Sequence, residues 1–284
     1  MRAHRALAAA LFLALSNGAD AGGAAVSGSL TFRSDLWPAA AIRREKRRTV
    51  HFYTTASDAL HDDCLGRSRD EVAAFFADKA SRLSIGERCD KLFVLVHHAQ
   101  GAMSDTTREF VGAHETYHLV AQIFSGAAPG ALLEPRPKIT PGSDKFFDDL
   151  AAALTPHPGT DDMQAIADIA GRYAALSAQD RAVVDFMATI EWPAEYYAYL
   201  VMADEKRGWG IERYREVRKE ASDETGYRAA IPVGLALDRR LGAGRWQERV
   251  LQGENMFAIL AGLAGVNAGP HIESVNVTGY ALSL

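Results

Sequence analysis

Five consecutive residues have the types and spacing to do hydrolytic chemistry: His114-Glu115-Thr116-Tyr117-His118. On an α-helix, positions i and i+4 stand one above the other, so His114 and His118 can offer imidazole nitrogens to a single metal ion. Glu115 projects about 100° around the helix from His114, which aims its carboxylate at a water on the metal rather than at the metal. Two imidazoles and one base in this order are the parts of a zinc-dependent peptide hydrolase. The plainer reading is a pair of ordinary helix histidines, one partly buried and one solvated; it accounts for the pair but not for the Glu beside it.

The chemistry requires a helix, and the flanking residues supply one. Thr106-Thr107-Arg108-Glu109 reads as a capping box with Thr106 as N-cap and Glu109 at N3, and no Pro interrupts the run to about Phe124. Phe110, Ala113, Tyr117, Val120 and Ala121 recur at helical spacing beside the histidines, placing them at the edge of a buried face. Gly112 costs about 1 kcal/mol relative to Ala in a helix interior, which packing can absorb. Upstream, residues 91–97 contain the apolar run 92–96 and read as a buried strand. Residues 50–54 have strand character, and Ser68-Arg69-Asp70-Glu71 is a second capping box opening a helix to about Leu83, with Val72, Phe75, Phe76 and Ala80 inward.

Pro129, Pro135, Pro137 and Pro141 make residues 126–143 a loop. Beyond it, helices are expected at 144–154, 161–176, 178–190, 193–205, 210–220, 232–241 and 246–263, with an extended end at 272–284. The fold class is α+β: a small mixed sheet and the metal helix in residues 22–126, a loop at 127–143, and a mainly helical part from 144 to 284.

Residues 1–21 read as a secretory signal peptide, with Arg2 and Arg5, an apolar stretch from Ala6 to Leu15, and Ala19-Asp20-Ala21 before the cleavage point. A secreted or periplasmic protein is expected. The next most apolar run, 256–266, is broken by Gly262 and Gly265 and is a core segment rather than a membrane span. After processing, about 260 residues remain, enough for one large domain or two packed subdomains. A net charge of −5 with 48% hydrophobic residues excludes a nucleic-acid partner as the leading class. The basic run 43–48 is a solvated charge cluster or a processing site. Cys64 and Cys89 are the two cysteines, and in an exported chain they favour one disulfide over metal ligation. The sequon Asn276-Val277-Thr278 matters only in a eukaryotic secretory route.

A hydrolytic zinc site has three protein ligands and one open position, and the histidines account for two. Phe124 stands six residues after His118, where metzincins carry a third His, so a Glu on a separate helix is expected instead. Trp192-Pro193-Ala194-Glu195-Tyr196-Tyr197-Ala198 is the best candidate: Pro193 fits the first helical position and puts Glu195 in the first turn. These motifs resemble the gluzincin group of zinc metallopeptidases, and the segment 194–198 is similar to the second motif of lethal-factor-like peptidases. The resemblance covers these two motifs alone. It implies a zincin-like fold, Zn²⁺ held by His114, His118 and Glu195, a water activated by the metal with Glu115 as general base, and a peptide or protein substrate held at a sheet edge.

Tyr199 replaces the acidic residue that this group carries four places after the ligand. Glu191 and Glu195 offer a second solution, in which Glu191 binds the metal and Glu195 orients His114; Pro193 between them disfavours it. Tyr197, Tyr214, Tyr227 and His271 are candidate oxyanion donors, and His97 and His98 candidate cleft residues. A catalytically inactive zincin-like domain, or a metal-dependent hydrolase of another substrate class, would use the same residues.

Overall fold

The computed structural model describes residues 28–37, 49–53, 56–77, 83–89, 91–96, 104–123, 137–155, 162–221 and 225–266. The signal segment, the 43–48 basic run, His97, His98, His271 and the Asn276 sequon lie outside them. Four strands form one mixed sheet: β1 (Gly28–Thr31), β2 (Thr49–Tyr53), β3 (Leu83–Arg88) and β4 (Lys91–Val96), in the order β1-β2-β4-β3. β2 runs parallel to β4, while β1 and β3 pair antiparallel with β2 and β4. Of the four, β2 and β4 fall where sequence patterning puts strands. β1 and β3 are edges, too short or too polar to announce themselves.

Successive side chains of a strand point to opposite faces, and here both faces are covered. Val50, Leu92 and Val94 enter a large core; Tyr53, Phe93 and Leu95 enter a small one closed by Ala59, Leu65 and Val72. The small core lies under three short helices, α1 (Ala56–His61), α2 (Asp63–Gly66) and α3 (Arg69–Ala77). The expected Ser68 cap of α3 does not form: Ser68 Oγ is buried without a hydrogen-bond partner.

α4 (Asp105–Tyr117) carries both histidines to its C-terminal end and continues as a π turn, His118–Ile123. Its N-cap is Ser104, not Thr106. The difference has a tertiary cause. Glu220, at the end of α9 (Ile211–Glu220), accepts hydrogen bonds from the Ser104 amide, the Thr107 hydroxyl and the Ser104 hydroxyl (2.8 Å for the last), placing a carboxylate at the positive end of α4. Glu109, freed from the capping role, pairs with Lys206 at 2.6 Å. Gly112 lets α4 lie against β1, since a Cβ there would stand 2.5 Å from Leu30 Cδ1.

The remaining helices are α5 (Pro141–Leu154), α6 (Asp162–Ala175), α7 (Ala178–Phe186), α8 (Trp192–Glu205), α10 (Ala230–Leu241), α11 (Arg245–Leu251) and α12 (Met256–Leu263). The single helix expected over 246–263 is two, parted where Gly253 takes φ +93° and Asn255 caps α12. A π turn, Met187–Glu191, joins α7 to α8. The architecture is thus α+β with a helical second half. The large core does not stop at the Pro-rich segment: Phe110 and Tyr117 of α4 and Leu119 of its π turn share it with Phe147, Trp192 and Tyr196. Among the described residues no helix is long and apolar enough to cross a membrane.

Candidate metal centre

α4 and the α7–α8 junction face each other inside the large core, and three side chains meet between them. His114 Nε2 lies 3.0 Å from His118 Nε2 and 3.4 Å from Glu191 Oε2, and His118 Nε2 lies 3.8 Å from the same oxygen. Donor atoms bound tetrahedrally at about 2.0–2.1 Å from one ion stand roughly 3.3–3.4 Å apart, the middle of this range. The group His114, His118 and Glu191 could therefore hold a metal ion.

The other ring nitrogens settle what the two Nε2 atoms can offer. His114 Nδ1 faces Glu195 Oε2 at 2.9 Å, and His118 Nδ1 faces Gln122 Oε1 at 2.6 Å. The orientation of the Gln122 amide follows from its other end, whose Nε2 donates to the Ile190 carbonyl at 3.0 Å. Carboxylate and amide oxygens only accept, so each Nδ1 carries a proton, and in a neutral imidazole Nε2 is then a bare lone pair. Two lone pairs at 3.0 Å repel unless a proton or a metal ion lies between them. Charge points the same way: Glu191 and Glu195 against Arg218 leave one buried negative charge, and Glu115, whose carboxyl burial raises to about 7, adds part of a second for a dication to balance. The donor set fits a divalent cation on both counts.

Glu195, ranked first as the third ligand, is not in this group. Its carboxylate lies behind His114, taking the Nδ1 proton and a two-pronged bond from Arg218 of α9, whose Nε reaches Oε1 at 2.5 Å while Nη2 reaches Oε2. Glu191 stands in front, beside both Nε2 atoms. The placing of Glu191 beside the Nε2 atoms and of Glu195 behind His114 matches the second of the two arrangements, and the π turn removes the objection to it. Over residues 187–191 the helix widens, the Trp192 amide bonds back to Met187, and Pro193 falls at the start of α8, where its missing N–H costs little. The chain stays helical through Pro193, and Glu191 and Glu195 share one face.

Arg218 and Gln122 are functional residues the sequence reading did not single out. Gln122 was findable, four residues after His118 on the same helix. Arg218 sits in a strongly charged helix, but four residues after buried Tyr214 and next to buried Val217, and so on the inward face. Its guanidinium also lies 3.8 Å from the centre of the Tyr227 ring. Burial pushes the Glu195 carboxyl up, but Arg218 and the His114 bond outweigh it and hold it down at about 2. Burial also pushes Glu115 up, to about 7, and its Oε2 has no hydrogen-bond partner.

Of the candidate oxyanion donors, Tyr227 reaches the cluster: its hydroxyl donates to Glu191 Oε2 at 2.6 Å. Tyr214 donates to the Tyr227 carbonyl at 3.3 Å, and Tyr197 accepts from the Arg33 amide at 2.7 Å. Tyr199 stacks on Tyr196. His114, Glu115, His118 and Glu191 are each no more than 5% exposed, so the cluster is enclosed. No protein-family model, curated protein or solved structure matches the chain.

Proposed function

We propose that the protein is an exported, zinc-dependent metallopeptidase of gluzincin type with a zincin-like core. His114, His118 and Glu191 would be the metal ligands, Glu195 the residue orienting His114, Glu115 the general base, and a peptide or protein the substrate. The observation that carries the proposal is the convergence of two imidazole Nε2 atoms and one carboxylate oxygen at tetrahedral edge spacing. Zinc, rather than calcium or magnesium, suits a site with two imidazoles, because the harder cations select oxygen donors.

When bound, zinc supplies a Lewis acid that activates water and polarises a carbonyl. The protein's own groups supply the proton handling and the positioning. Glu115 is near half-protonated at neutral pH, which suits a group that takes a proton from water and returns it to the leaving amine. Its unpartnered oxygen is free to do so. Tyr227 holds a hydroxyl beside the same centre and is the nearest donor for developing negative charge.

The enclosure of the cluster favours a second reading, a zincin-like domain that keeps a metal for stability without turnover. One experiment separates the two: metal analysis of the purified protein and its Glu115→Gln variant, with proteolysis of an unstructured substrate. The peptidase reading expects one zinc in each and cleavage by the parent only. Zinc in both with cleavage by neither selects the structural reading, and a protein that takes up no zinc excludes both.

A further inference from the structure

On the opposite side of the sheet from the metal cluster, the turn of the β3–β4 hairpin meets the short helix α2. Arg88 pairs with Lys91, so Cys89 lies in the tight turn between them. Cys89 takes φ +51° and is the one non-glycine residue with positive φ among those described. Two-residue hairpin loops favour Gly, Asn or Asp in that conformation, so a Cys there brings no advantage to the turn. Its reason lies in the side chain.

The exposed thiol of Cys89 and the half-buried thiol of Cys64 in α2 are both free, so the disulfide expected from the sequence is not formed, yet they lie beside each other where the Asp62–Lys91 ion pair, at 3.1 Å, closes α2 onto β4. Each sulfur is held from its own side. Asp62 caps α2 by accepting from the Cys64 amide at 2.9 Å, and the same carboxylate takes the Tyr53 hydroxyl at 2.6 Å and Lys91 Nζ at 3.1 Å, fixing α2 to β2 and β4. Cys89 is fixed by the hairpin register. The layer the two cysteines join has a small core, with six buried residues among those described. A small core is where a covalent staple has the most to add.

We propose that Cys64 and Cys89 form a reversible thiol pair that closes to an intramolecular disulfide and locks the β3–β4 turn onto α2, with a low-molecular-weight disulfide as oxidant. Cys89 is the exposed thiol of the pair, which makes it the first to reach a small disulfide. The Cys89 thiolate attacks one sulfur of the small disulfide, whose S–S bond breaks and releases one thiolate. Cys64 then gives up its proton and attacks the Cys89 sulfur of the mixed disulfide, expelling the second thiolate. Two protein thiols are oxidised by two electrons, one small disulfide is reduced to two thiols, and the two protons end on the departing thiols.

The test uses the full chain equilibrated with oxidised or reduced glutathione, read by thiol alkylation with peptide mass mapping and by thermal unfolding. Oxidised protein is expected to have no alkylatable thiol, a mass lower by two hydrogens and one cross-linked peptide joining positions 64 and 89. Closing a loop of about 25 residues should raise Tm by roughly 10 °C, reversibly with a phosphine reductant. Cys89→Asn keeps a residue suited to the turn and should melt like the reduced parent in both buffers; Cys64→Ser should do the same. Separate glutathione adducts on the two cysteines, a disulfide-linked dimer, or an equal Tm shift in Cys89→Asn would overturn the proposal. Should Cys64→Ser not fold, the exposed-turn variant decides alone. None of these readings depends on zinc.

Discussion

Arg218→Met removes the cation behind the metal cluster while keeping most of the side-chain volume. Arg218 and Glu195 side chains are 4% and 0% exposed and meet through two hydrogen bonds, so the variant leaves a carboxylate in a dry site without its cation. Breaking a buried pair from one side costs about 3–5 kcal/mol, against about 1 kcal/mol or less for an exposed one. The pH dependence carries a sign that packing loss alone would not. In the parent, the Glu195 carboxyl is held below its ordinary value, at about 2 rather than 4.5, so its contribution is complete above about pH 4.5 and is lost as pH falls toward 2. In the variant, burial is no longer offset by Arg218 and raises that carboxyl against the His114 bond that remains, so the penalty is largest at neutral pH and shrinks on acidification as Glu195 takes a proton. Urea unfolding of metal-free parent and variant at pH 7 and pH 5 measures both the size and the trend. Adding Glu195→Gln to Arg218→Met should recover part of the loss, because no charge is then stranded. A variant within 0.5 kcal/mol of the parent at pH 7, or a penalty that does not change with pH, would refute the reasoning.

Three further outcomes are expected. Glu191→Gln should abolish stoichiometric zinc binding, whereas Glu195→Gln should weaken it about 10–100-fold, both read by competition with a chromophoric chelator; the reverse order would return Glu195 to the metal. Gly234→Ala should destabilise the fold by about 1–3 kcal/mol in urea, because the added methyl would overlap the buried Tyr196 ring, pinned by its hydroxyl to Asp238 at 2.6 Å; an unchanged midpoint would mean that α10 can move away from α8. Asp62 is pushed up by burial but held down at about 2 by the Tyr53, Cys64 and Lys91 bonds. It should therefore contribute about 2 kcal/mol above pH 4 that fades toward pH 2, and Asp62→Asn should flatten this acid limb.

The metal helix was legible because its signal is local: two histidines, one glutamate and an apolar stripe obey a single period. The buried strand β4 and most helices of the second half were legible for the same reason. What escaped the sequence depends on neighbours distant in the chain. The N-cap moved from Thr106 to Ser104 because a carboxylate more than a hundred residues away completes it. The order of Glu191 and Glu195 turned on a π turn, which no propensity scale marks, while Pro193 argued for a break that the wider turn makes unnecessary. Arg218 carried only its place on the inward stripe of a helix otherwise crowded with charge.

The π turn between α7 and α8 also makes chain length a determinant of the site. An α-helix advances about 100° per residue, so excising one residue from 187–190 would set the inward stripe of α7, Val183 and Val184, a quarter-turn or more out of phase with Glu191 and Glu195. One helix or the other would have to present its wrong side to the interior. A deletion that changes no charge and touches no imidazole would thus disassemble the centre as effectively as removing a ligand.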